Sequence, residues 1–100
     1  MLDLSQIVGF DWDDGNARKS VERHGVVQAE AEAMFFQEPL LIVDDPRHSL
    51  IERRYHALGM TPAGRLLQAT FTLRGDGSLV RIISVRDMSR KERKVYAEAT

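Results

Sequence analysis

The stretch from Arg65 to Arg86 constrains this chain more than any other. From Arg65 to Arg74 apolar and polar side chains alternate: Leu67, Ala69, Phe71 and Leu73 against Gln68, Thr70 and Thr72. A repeat of two is that of a strand with one buried face. Gly75-Asp76-Gly77 follows, and Leu79 to Arg86 is again apolar and β-branched. Glycine beside aspartate supplies the positive φ that a hairpin turn needs. The chain must therefore build a sheet around an antiparallel pair. Its 100 residues give room for one core, so residues 1–100 are expected to form a single domain.

Upstream of that pair, Ile7 to Trp12 is apolar and reads as a short strand. Asp13 or Asp14 can cap a helix, where a carboxylate meets the unpaired N–H groups and the positive end of the dipole. Asn16 to Arg23 follows as helix, and Gly25 is placed to leave it in a left-handed conformation. Ala29 to Phe36 reads as a second helix with Ala29, Ala33 and Phe36 on one stripe, ended by Pro39. Leu40 to Val43 reads as a buried strand and Asp44-Asp45-Pro46 as a turn. From Ile51 to Leu58, Ile51, Tyr55 and Ala57 alternate with Glu52, Arg54 and His56. Ser89-Arg90-Lys91-Glu92 has the spacing of a capping box, so a last helix starts there and runs to about Glu98. The expected fold is α+β: a mainly antiparallel sheet, two N-terminal helices and a C-terminal helix, all packed on one face. The other face would be polar and open.

Charge is unevenly placed. Residues 1–50 carry 4 basic and 10 acidic side chains, whereas residues 51–100 carry 10 basic and 5 acidic. Most of the cations are arginine, whose planar fork matches phosphate and carboxylate. The C-terminal half therefore suits a phosphate-bearing ligand or an acidic partner, or else forms a solvated basic surface. The absence of cysteine rules out disulfides, a thiolate metal site and a Cys nucleophile. Apolar runs are too short for a membrane span, and the start MLDLSQIVGF lacks the basic region of an export leader. A cytoplasmic location without membrane contact is expected.

If the hairpin closes at Asp76-Gly77, Thr72 faces Arg81 and Thr70 faces Ile83. Arg81 then shares a face with Gln68, Thr70 and Thr72, and Arg54 and His56 join it from the preceding strand. The same register puts Arg86 on the opposite pleat, at the strand end, where it can reach round the edge with Arg90 and Arg93. Structural roles compete for several of these residues. Glu92 suits a helix cap, His24 a helix end beside Gly25, and Trp12 and Tyr55 ordinary burial. The three His show no metal-ligand spacing, and no Gly-rich phosphate loop or nucleophile elbow is present.

A family resemblance extends this reading. Phe10-Asp11-Trp12-Asp13-Asp14-Gly15-Asn16, Lys19 and His24-Gly25-Val26 resemble the N-terminal signature of the BrnT toxins. The likeness continues through Glu52-Arg53-Arg54-Tyr55, Gly59, Gly64-Arg65-Leu66-Leu67 and Arg81-Ile82-Ile83-Ser84-Val85-Arg86, and ends with Glu92-Arg93 and Tyr96. Ser20 and Val27 depart from the family's usual residues. The resemblance implies a RelE-like fold and an endoribonuclease toxin of a type II toxin–antitoxin system. It also implies a BrnA-like ribbon-helix-helix antitoxin that neutralises the toxin, a heterotetramer with it, and operator DNA contacted only through that antitoxin. In RelE-type toxins a basic residue after the last strand and a Tyr on the final helix lie in the active site, which carries over to Arg86 and Tyr96.

Cleavage without a metal or other cofactor uses the ribose 2′-OH as nucleophile. The protein must hold the backbone in line, offset charge on the phosphorane and move two protons. Arg54, Arg65, Arg81 and Arg86 suit the charge role, and Lys19, Arg90 and Arg93 suit contacts to the RNA backbone. Arginine stays protonated, so the proton carriers are sought among His24, His56, Glu52 and Tyr96. Two other classes stay open: a non-catalytic corepressor working with a DNA-binding antitoxin, and an interaction domain whose arginines bind an acidic peptide.

Overall fold

The computed structural model describes residues 4–48 and 52–100. In chain order it holds β1 (Gly9–Trp12), α1 (Asp14–His24), α2 (Gln28–Met34), β2 (Leu41–Asp44), β3 (Tyr55–Met60), β4 (Leu66–Arg74), β5 (Leu79–Asp87) and α3 (Arg90–Ala99). Short 3₁₀ turns cover Leu4–Gln6 and Pro46–His48. The expectation placed on Ile51 lies outside the described residues.

The strands form one sheet in the order β1-β5-β4-β3-β2. Strands β2 to β5 pair antiparallel in sequence, but β1 runs parallel to β5. The sheet is therefore mixed, which corrects the mainly antiparallel expectation. The cause is topological. α1 and α2 separate β1 from β2, so β1 has no hairpin partner and pairs instead with the free edge of β5.

Helix placement also differs from the expectation. Val26, Ala31 and Met34, from α2 and the loop before it, pack on Ala57, Leu67, Ala69, Phe71, Val80, Ile82 and Val85. Tyr96 of α3 packs instead with Leu58, Met88, Leu41 and Leu66. Leu58 and Leu66 alternate with Ala57 and Leu67 along their strands, so α3 covers the opposite face of the sheet. The apolar stripe of α2 is Ala31 and Met34; Ala29 is exposed, and Phe36 lies beyond the helix at 71% exposure. β2 is a half-buried edge strand rather than a buried one, because among the described residues no strand pairs beyond it.

Local chemistry explains the element ends. Asp13 accepts from the N–H groups of Gly15 and Asn16 and starts α1. Gly25 ends α1 at φ 62°, with its N–H on the Val21 carbonyl and that of Val26 on the Ser20 carbonyl. Phe71 sits at the centre of the core, edge-on to Phe35 and stacked on Tyr55. Such ring pairs add about 0.5–1.5 kcal/mol each beyond their buried area. Between β4 and β5 the chain turns through Gly75, Asp76 and Gly77, all at positive φ, and Thr72 faces Arg81 as the hairpin signal implies.

Candidate functional site

A single bulge decides which side chains share the open face. Thr72 pairs with Arg81 and Phe71 with Ile82, but Thr70 pairs with Ser84, so Ile83 is the extra residue. An extra residue reverses the alternation beyond it. Arg86 therefore stands opposite Gln68, on the same face as Thr70, His56 and Arg81. This corrects the placement of Arg86 on the other pleat and of Ile83 opposite Thr70. α3 covers the Leu58–Leu66 end of the face, and the remainder, with His56, Thr70, Ser84 and Arg81, is left open.

The two arginines of β5 are each held by acids. Arg81 Nη1 lies 2.9 Å from Asp11 of β1, and its Nη2 lies 3.6 Å from Asp13. Arg86 forms a bidentate pair with Glu92 at 2.7 and 2.9 Å and donates to the Asp87 carbonyl. Its Nε–H and second Nη2–H have no acceptor among the described residues. The guanidinium is thus fixed in position with donors left for an anion. Arg54 lies one residue ahead of β3, where its carbonyl accepts from the Asp45 N–H.

His56 is held from two sides. Its Nε2 is 3.1 Å from the carboxylate of Asp45, and Asp45 is only 7% exposed. Its Nδ1 is 2.7 Å from Gln68 Nε2 and 3.0 Å from the Thr70 hydroxyl. The ring stays partly exposed on the open face. Asp45 reads in sequence only as turn chemistry. The signal that could have found it is the β2–β3 register, with Val43 opposite His56, which brings the turn after β2 alongside the start of β3.

The other expected site residues are not gathered there. Arg65 donates to Asp87 at 2.8 and 3.0 Å, to Glu30, and to the carbonyls of His24 and Gly25. These contacts join the ends of α1 and α2 to the end of β5, on the face of the sheet opposite Arg81 and Arg86, and the Asp87 and Glu30 carboxylates raise the Arg65 pKa further above its ordinary value. Tyr96 donates its hydroxyl to the Pro39 carbonyl at 2.5 Å, and burial pushes its pKa up. His24 ends α1 beside Arg65 and Asp87. Lys19 is exposed on α1 and Arg90 on the first turn of α3, while Arg93 donates to the Met88 carbonyl. Glu52 pairs with Arg74 near the hairpin. Among the described residues, no group of three or more His, Cys, Asp and Glu could hold a metal.

Glu92 couples this face to stability. It caps α3 through the Ser89 N–H, and the Arg86 guanidinium holds its carboxyl down at about 2, against an ordinary 4.5. A depressed carboxylate pKa stabilises the fold above the unfolded value and loses that contribution as pH falls through the folded one. The loss should run from near pH 4.5 down towards pH 2 and amount to on the order of 1–2 kcal/mol, allowing for solvent at Arg86. Urea unfolding at pH 6 and pH 3 measures it. Glu92→Gln should reduce this pH dependence.

Against this geometry, the family model for the ribonuclease toxin BrnT of type II toxin–antitoxin systems matches residues 12–92. The chain belongs to the BrnT family. The match runs from Trp12 to Glu92, so it takes in β2 to β5 and the first turn of α3 that secures Arg86. The crystal structure of the Brucella abortus ribonuclease toxin BrnT shares the fold, with a TM-score of 0.58 at 19% identity. That likeness covers 82% of this chain and 97% of the Brucella chain. No curated protein sequence gives a match. As a BrnT toxin of a type II system the chain has an antitoxin as its partner, and its family activity is that of a ribonuclease. Among the described residues no helix is long and apolar enough to cross a membrane.

Proposed function

We infer that the open face of the sheet is the RNA-cleaving site and that it works without a metal ion. The observation that carries this is the bulge at Ile83, which turns Arg86 to the same face of the sheet as Arg81, Thr70 and His56. Arg81 and Arg86, with Arg54 at the start of β3, grip the phosphates on either side of the scissile link. Their acids preset the forks, so little ordering is needed when an anion arrives. His56 is the proton carrier. Lys19, Arg90 and Arg93 extend contact along the backbone. Arg65 and Tyr96 act through the fold: one clamps two helix ends to β5, the other anchors α3 on the Pro39 segment.

The type II character of the family supports a BrnA-like ribbon-helix-helix antitoxin that covers this face, in a cytoplasmic heterotetramer. Operator DNA is then reached only through the antitoxin. Arg86→Ala tests the site directly. Cleavage of a single-stranded RNA by the purified, folded variant should fall roughly tenfold or more, the equivalent of about 1.4 kcal/mol of transition-state stabilisation. Excess EDTA should leave the wild-type rate unchanged. An unaltered rate in Arg86→Ala removes Arg86 from the site. Wild-type protein that cleaves no RNA yet tightens operator binding by the antitoxin is instead a corepressor.

A further inference from the structure

Both ring nitrogens of His56 are engaged, and the partners dictate which one carries the proton. An ionised carboxylate only accepts, so Asp45 at 3.1 Å requires a proton on Nε2. In the neutral ring Nδ1 is then the acceptor. Gln68 Nε2 at 2.7 Å and the Thr70 hydroxyl at 3.0 Å are donors placed to serve it. This leaves an anomaly. Gln68 is 4% exposed, and its Oε1 has no hydrogen-bond partner among the described residues. A buried carbonyl without a donor costs free energy that a settled packing arrangement normally avoids.

Half a turn about the last torsion of Gln68 exchanges the two ends of its amide. Oε1 then meets Nδ1, which suits it only when Nδ1 also carries a proton. The ring is then an imidazolium, balanced by the Asp45 carboxylate on its other side. At the ring, each orientation of the amide thus matches one protonation state: the oxygen orphaned in the neutral state becomes the acceptor of the charged one, and the amide N–H groups take its former place. We propose that Asp45 and Gln68 are positioning residues for cleavage: Asp45 fixes the Nε2 proton of His56, and the Gln68 amide turns to receive the proton that Nδ1 takes up. The proposal rests on the open face being the RNA-cleaving site.

The proton comes by way of Thr70. Its hydroxyl gives a proton to Nδ1 as it takes one from the ribose 2′-OH. The 2′-oxygen bonds to phosphorus and the bond from phosphorus to the 5′-oxygen breaks; the leaving oxygen, on the far side of phosphorus, takes a proton from water, and the imidazolium afterwards gives its own proton back to solvent. The products are a 2′,3′-cyclic phosphate and a 5′-hydroxyl, with no net proton and no co-reactant consumed. The charged groups around His56 are Asp45 after β2, Arg54 ahead of β3, Arg81 with Asp11 and Asp13, and Arg86 with Glu92. None but Asp45 is within ion-pair distance of the ring among the described residues.

The test joins ring ¹⁵N spectra of His56 to kinetics on a short single-stranded RNA, with thermal melts to establish folding. In the neutral wild-type ring Nε2 should be the protonated nitrogen. Asp45→Asn should lose that preference and lower kcat roughly thirtyfold or more while KM changes less than about threefold. Gln68→Met should keep the tautomer and lower kcat about tenfold at unchanged KM, and it carries the test if Asp45→Asn does not fold. A wild-type ring protonated on Nδ1, or full kcat in both variants while Arg86→Ala is impaired, overturns the positioning roles and leaves the site standing. Full activity in Arg86→Ala as well overturns the reading of the face itself.

Discussion

Replacing His56 with glutamine should lower the rate of RNA cleavage roughly a thousandfold, within the usual range for loss of a general acid–base. The size of the effect follows from a lack of substitutes. The arginines of the face stay protonated at any pH at which RNA is handled. The Tyr96 hydroxyl is spent on the Pro39 carbonyl, and burial makes it a still weaker acid. Glu52 is paired with Arg74, and His24 stands at the helix ends beside Arg65. His56 alone, among the described side chains, joins an imidazole to the arginines of the open face. Glutamine keeps a donor for Asp45, so the buried carboxylate is not stranded and the variant should fold. Single-turnover kinetics at saturating enzyme measures the chemical step. A rate within threefold of wild type would remove His56 from the chemistry and pass the proton question to ordered solvent. Arg86→Ala should do less, because Arg81 and Arg54 share the charge.

The contrast between these residues shows what the sequence could and could not convey. The hairpin was legible because its turn and its alternation agree: Gly75-Asp76-Gly77 sets the register, and Thr72 duly faces Arg81. The caps were legible for the same local reason. Ser89 and Glu92 exchange hydrogen bonds across one turn, and Gly25 adopts the φ that a side chain resists. The bulge was not legible. Ile82, Ile83 and Val85 are all apolar and β-branched, so nothing in their composition marks which of them leaves the ladder. That one residue decides the facing of Arg86, and with it whether Arg86 belongs to the proposed site.

Long-range pairings were hidden for a related reason. The parallel contact of β1 with β5 joins residues some seventy positions apart, such as Asp11 and Arg81. It depends on the sheet having been built first. The same contact neutralises Arg81, a fact invisible in a list of arginines. The family likeness does not separate the roles of Arg65 and Arg86, since both stand in equally short motifs. Geometry separates them: one arginine keeps donors turned to an open face, and the other spends its fork on carboxylates and helix-end carbonyls.

That separation gives the other large effect. Arg65→Ala should cost about 1–2 kcal/mol of stability, a fall of roughly 5–15 °C in Tm for a domain of this size. Arg65 joins three parts of the fold. It meets Asp87 at the end of β5 with two parallel bonds, Glu30 on α2, and the unpaired carbonyls of His24 and Gly25 at the end of α1. Truncation leaves those carbonyls and two carboxylates without their common donor; Arg65 is 28% exposed but Asp87 is 60% exposed, so water makes good part of the loss. Lysine at this position keeps the charge but can reach only part of the set, so Arg65→Lys should recover less than half of the loss. Cleavage by the folded fraction, assayed well below the lowered Tm, should stay within about threefold of wild type, because Arg65 touches none of the open face. A variant with wild-type Tm and greatly reduced cleavage would show the opposite: that Arg65 leaves its carboxylates to hold RNA.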